Sequence, residues 1–141
     1  MYALIDTENL PDNAKIRSNK NDVLISKVRP NRGAVAIVNE DIQDFVVSGA
    51  FTVLKENSAY KKETLFVLLK TDVYKEWLLK YNVGTSYPVI KDDDILNFPI
   101  PMIEDNIQQQ IAELIEKSFY LCRESERLLN EAKCMVEGEI D

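Results

Sequence analysis

The chain has 141 residues, 45% of them hydrophobic and 29% charged, with a formal net charge of −7. Its length and composition suit one globular domain, and no apolar run reaches the roughly 18 residues that a membrane span needs. There is no histidine, and the only cysteines are Cys122 and Cys134. Ser-His-Asp, Cys-His and His-based acid–base chemistry are therefore excluded, and two thiols do not complete a metal-ligand set. No secretory signal opens the chain, so a cytosolic protein with reduced thiols, no cofactor, no metal and no membrane contact is expected.

In chain order, "YALI" reads as a short strand and "DTENLPDN" as a turn-rich connection broken by Pro11. Residues 22–28 ("DVLISKV") and 34–38 ("AVAIV") are β-branched, apolar strands, and "RPNRG" between them has the length and the glycine of a hairpin loop. "DFVVSGAFTVL" (44–54) is strand-like, with a bend at Ser48-Gly49. From Lys62 the period changes: Leu65, Leu68, Leu69, Val73, Trp77, Leu78 and Tyr81 recur at spacings of three and four, which predicts one amphipathic helix. Thr64 is a candidate cap, Trp77 a candidate core residue, and "YNVG" a stop at Gly84. "TSYPVI" (85–90) leads into a short strand. "KDDDILNF" then reads as one helical turn with an acidic start, where negative charge suits exposed N–H groups better than it suits a two-metal site.

The last segment, 104–136, has the strongest pattern. Ile107, Ile111, Leu114, Ser118, Leu121, Ser125, Leu128, Ala132 and Met135 alternate by four and three, a heptad seam of period 3.5. A helix of about 50 Å with such a seam calls for a partner helix, and Ser118, Ser125 and Ala132 permit close approach. The seam residues Ile107, Ile111, Leu114, Leu121 and Leu128 are the expected pairing set, either in a homodimer or with another helix.

Charge is unevenly divided. Residues 1–100 carry a balance of −1 and residues 101–141 a balance of −6, while residues 15–35 alone carry +5. An acidic chain thus concentrates cations on one short loop, Lys27, Arg29 and Arg32. Arginine pairs with guanine edges or phosphates, lysine does so more loosely, and Asn31 has the donor–acceptor pair that matches adenine. A hairpin tip is narrow enough to enter a major groove. Thr85, Ser86 and Tyr87 form a second candidate DNA-facing loop, with Lys91 as a nearby phosphate holder.

Taken together, three stretches resemble the specificity subunits of type I restriction-modification systems. "NDVLISKVRPNRGAVAIV" is similar to that family's G-D-[IV]-L strand, basic "R-P" turn and second strand, with Asn21 at the usual glycine. "VVSGAFTVLKEN" and "LFVLLKTDVYKEWLLKYNVGTSYPVI" follow its strand, "L-x-S" helix and "G-[ST]" turn, with Thr71 at the usual serine. "DDDILNFPIPMIEDNIQQQIAELIEKS" resembles its junction into a long spacer helix. The resemblance implies an α/β (α+β) target-recognition domain of short strands and a helix, followed by a long C-terminal coiled-coil helix. In these terms residues 1–103 are a partial target-recognition domain, 104–136 the spacer and dimerisation helix, and 137–141 a tail.

The expected function is non-enzymatic. The resemblance implies that the domain reads one half of a bipartite site on double-stranded DNA and that the helix sets the spacing. It likewise implies that methyltransferase subunits, with the restriction subunit, supply the catalysis. The alternative is a specificity fragment that acts only as a protein-interaction module, through its helix or by docking methyltransferase subunits.

Overall fold

Strand β2 (Val23–Ser26) opens with three consecutive apolar residues, Val23, Leu24 and Ile25, and all three are buried. A strand of this composition needs cover on both faces. It receives β3 (Val35–Ile37) on one edge and β5 (Phe51–Leu54) on the other, both antiparallel, with Leu24 opposite Ala36 and Val53. A separate two-stranded sheet pairs β1 (Ala14–Arg17) with β4 (Val46–Ser48), and its register shifts between Ala14 and Ile16. The bend expected at Ser48-Gly49 is therefore a boundary: the chain leaves one sheet there and enters the other. β1 itself lies in a stretch whose sequence pattern had announced no strand.

The computed structural model describes residues 14–42, 45–80 and 89–140; the "YALI" strand, the "DTENLPDN" turn and the Gly84 stop lie outside them. The chain divides into two compact units, Met1–Met102 and Ile103–Asp141. Among the described residues no helix is long and apolar enough to cross a membrane.

In the first unit, the predicted single helix is two. α1 (Lys62–Lys70) and α2 (Asp72–Leu79) meet at Thr71, whose extended backbone (φ −67°, ψ 148°) ends one and begins the other. The Thr71 hydroxyl donates to the Leu68 carbonyl at 2.7 Å and its N–H does so at 3.1 Å, so one residue satisfies a carbonyl that the helix end would leave open. The break changes the helical phase, and Val73 is 72% exposed instead of joining Leu65, Leu69 and Leu78 in the core. Thr64 is buried within α1, not placed at its cap. α1 packs on β2 and β3, and α3 (Asp92–Leu96) adds Ile95 to the core.

The second unit contains α4 (Asp105–Ile140), 36 residues in length, or about 54 Å at 1.5 Å per residue. Near its start the Gln108 side chain is buried and donates to the Ile103 carbonyl at 3.0 Å. Along the seam Ile107, Leu114, Leu121, Leu128 and Met135 are exposed and Ile111 is half-buried. Arg127 bridges Glu124 and Glu131, each at 3.1 Å.

Candidate nucleic-acid interface

The basic loop joins β2 to β3 and is tightly built. Ser26 N–H donates to the Ala34 carbonyl (3.0 Å) and Lys27 N–H to the Ala50 carbonyl (2.8 Å), which fixes the loop's base. Pro30–Arg32 form a single 3₁₀ turn, with Arg32 N–H on the Arg29 carbonyl and Gly33 N–H on the Pro30 carbonyl. Proline suits the first position of such a turn because its φ is preset and its missing N–H is not needed. Residues in left-handed backbone bound the turn on both sides, Arg29 (φ 49°) and Gly33 (φ 67°). Glycine adopts that region freely, whereas arginine does so only when its surroundings hold it there.

The sequence-predicted cations are not equivalent. Lys27 is 16% exposed and its Nζ lies 3.1 Å from Asp92 Oδ1, at the start of α3. The same oxygen accepts a 2.6 Å hydrogen bond from the buried Thr52 hydroxyl. Asp92 is held below its ordinary carboxylate range chiefly by the Thr52 hydrogen bond, with Lys27 next. Arg29 is half-buried, whereas Arg32 is exposed. Asn31 occupies the middle of the 3₁₀ turn. Thr85, Ser86 and Tyr87 lie outside the described residues. Just after them, Val89 forms an antiparallel bridge to Val28, and Ile90 N–H donates to the Lys27 carbonyl at 2.9 Å. Lys91, exposed, therefore emerges at the base of the same loop.

The remaining two aspartates of the triplet also begin α3, and the Lys91 N–H donates to Asp94 Oδ2 at 2.8 Å. The acidic start of the predicted helical turn is thus used for capping and for the Lys27 pair.

Sequence reasoning missed Lys75. Helix α2 packs against the 3₁₀ turn, and a Cβ built on Gly33 would stand 2.9 Å from Lys75 Cε and 3.5 Å from its Nζ. Only helical phase hinted that Lys75 and the loop share a side, and the break at Thr71 altered that phase. α2 is anchored in turn by aromatics. Phe98 meets the rings of Tyr74 and Trp77 edge-on, with centroids 5.2 and 6.2 Å apart, and the Tyr74 hydroxyl donates to the Pro99 carbonyl. Burial raises the Tyr74 hydroxyl above its ordinary pKa of 10.0. Trp77, expected in the core, is half-buried, and the Lys80 ammonium lies 4.7 Å from its ring centroid.

Residues 5–133 match the type I restriction modification DNA specificity domain. The chain belongs to that family. It is 31% identical over 114 residues to the type I restriction enzyme HindI specificity subunit of Haemophilus influenzae, a match spanning 78% of this chain and 25% of that protein. The solved HsdS subunit from Thermoanaerobacter tengcongensis is similar with a TM-score of 0.68 at 30% identity, over 89% of this chain and 33% of that one. A chain from a structure of type I R-M complex assembly and conformational transition gives 0.69 at 30%, with the same coverage. The specificity-domain chain thus spans about a quarter of its curated relative and a third of the solved ones. The fold matches the expected architecture, short antiparallel strands and helices followed by a long helix. Asn21, at the family's usual glycine, takes φ 75°, a value that explains why glycine or asparagine stands there.

Proposed function

We propose that this specificity-domain chain reads one half of a bipartite site on double-stranded DNA, with α4 as the spacer and assembly element, and that it catalyses nothing itself. The observation that carries this reading is the braced basic loop. Arg29 precedes a 3₁₀ turn that ends in Arg32, the loop is pinned at its base by the Val28–Val89 bridge, and Lys91 emerges beside it. In this reading Arg29, Asn31 and Arg32 address base edges or phosphates, and Thr85, Ser86, Tyr87 and Lys91 form the second contact. Lys27, turned to Asp92, braces the loop that it was expected to serve as a reader. A braced cationic loop suits a polyanion because its side chains lose little further freedom on binding.

The exposed seam of α4 supports the assembly half of the proposal. Ile107, Ile111, Leu114, Leu121 and Leu128 pair with a second helix, from another copy or another recognition half. Methyltransferase subunits and the restriction subunit complete the working complex. The −6 balance of residues 101–141 keeps that helix off the duplex.

The test is fluorescence anisotropy of the chain against a pool of random-sequence duplexes, titrated with salt and repeated with Arg29→Ala/Arg32→Ala. Binding that weakens steeply with salt and is lost in the variant is expected. Equal binding by both proteins overturns the loop assignment. Absence of binding by the parent chain favours the second reading, a protein-interaction module working through the exposed α4 seam alone.

A further inference from the structure

Three cations crowd the loop in sequence, but the fold removes one. Lys27 is neutralised by Asp92 at 3.1 Å and largely covered, which leaves Arg29 and Arg32 on the loop itself. The structure brings in a replacement from elsewhere. Lys75, in the second turn of α2, lays its stem across Gly33, and its side chain is 29% exposed. Its carboxylate neighbour on the same helix, Asp72, sits 3.4 Å away and is 91% exposed, so water screens that pair strongly. The Lys75 stem occupies the space that a Cβ at residue 33 would fill, with its Nζ 3.5 Å from that position, and exposed Arg32 is the residue before Gly33 in the chain. Gly33 supplies the φ of 67° at the end of the turn, and the lysine stem lies against it.

We propose that Lys75 is a phosphate-contacting residue of the DNA-reading surface, carried on α2 and delivered to the edge of the loop across Gly33. The proposal rests on the DNA-reading function above and adds a residue to it. The aromatic contacts of Tyr74 and Trp77 with Phe98 hold α2 in place, so the ammonium is presented from a rigid element. A lysine so placed contributes charge without base selectivity, since it offers a point charge where arginine offers a planar fork.

The experiment uses the full chain and the same random-duplex pool under salt titration. Lys75→Met keeps the stem over Gly33 and removes the charge. Its logarithmic salt slope is expected to be shallower by about one unit, equally for all sequences, and Lys75→Arg is expected to restore the parent slope. A second measurement needs no variant: amine acetylation read by mass spectrometry, with and without duplex. DNA is expected to protect Lys75 and to leave Lys55 reactive, because Lys55 pairs with Asp22 at the opposite end of β2. Parent-like slope in Lys75→Met, or undiminished acetylation of Lys75 in the bound state, overturns the Lys75 assignment while the DNA-reading function stands. A parent chain with no salt-dependent binding overturns both.

Discussion

Lys27 Nζ and Asp92 Oδ1 lie 3.1 Å apart, joining the first residue of the basic loop to the first turn of α3. The pair sits on a shared scaffold, since Thr52 on β5 donates to the same carboxylate oxygen at 2.6 Å. Three segments distant in sequence, the loop, β5 and α3, are thereby tied at one oxygen. Holding the loop's base this way fixes the 3₁₀ turn that follows, in which Pro30 is buried, with Arg29 half-buried before it and Arg32 exposed at its end.

The tie has a pH signature. Asp92 is held below its ordinary 3.8 by the Thr52 hydrogen bond and by Lys27, so its contribution to stability is complete above the ordinary carboxylate range. It is lost as the pH falls through the lowered value of the folded state. Urea unfolding should show Asp92→Asn less stable than the parent by about 1 kcal/mol at neutral pH, with the difference shrinking toward zero in strong acid. A difference that stays constant from pH 7 to pH 2 rules the tie out.

Asn21 is a second position where backbone geometry sets the residue. At φ 75° it directs the chain into β2, its N–H donates to the Val38 carbonyl at 2.8 Å, and its side-chain oxygen accepts from Lys62 Nζ at 3.0 Å. Asn21→Gly removes the steric strain and the hydrogen bond together, so its unfolding free energy is expected within about 0.5 kcal/mol of the parent. Asn21→Ala keeps the strain without the hydrogen bond and is expected to lose about 1–2 kcal/mol. Equal stability of the two variants contradicts the backbone argument.

What the sequence made legible follows the range of the interactions. The β2–β3 hairpin, the acidic start of α3 and the long α4 are encoded by local periodicity and turn residues; the first two stand where the pattern placed them, and α4 runs on to Ile140, past the expected end at residue 136. The helical break at Thr71 was hidden because threonine fits a helix interior as an ordinary residue. Only its hydroxyl on the Leu68 carbonyl reveals the stop. The division of β4 and β5 between two sheets depends on strand partners far along the chain. In the candidate interface, the positive charge of the loop was plain, but the distribution of roles was not. Asp92 claims Lys27, and Gly33 admits Lys75, through contacts that no window of neighbouring residues contains.

Gly33 allows that coupling to be measured. Gly33→Ala brings a left-handed alanine together with a Cβ 2.9 Å from Lys75 Cε, and is expected to lower stability by about 1–3 kcal/mol. Lys75→Ala in the same chain removes the collision but not the backbone strain. The Lys75 atoms near that Cβ are the flexible end of the side chain and can move aside, so most of the loss is expected to persist in the double variant, with a coupling energy below about 0.5 kcal/mol in a double-mutant cycle of urea unfolding. Full recovery in the double variant assigns the loss to the lysine contact and not to the left-handed backbone.

The seam of α4 carries the last prediction. Leu114, Leu121 and Leu128 are each more than half exposed, an arrangement that isolated helices in water stabilise by burying such residues against a partner. Sedimentation over a rising concentration series is expected to show association of the parent chain, and Leu121→Glu/Leu128→Glu is expected to abolish it without loss of the fold of the first unit. Ser118 and Ser125 occupy seam positions where apolar area is sacrificed to close approach. If the helices meet in the register that the heptads define, Ser118→Ala should tighten association modestly and Ser118→Leu should weaken or re-register it, because a larger side chain forces the backbones apart. A parent chain that stays monomeric throughout assigns the seam to a helix from a different subunit.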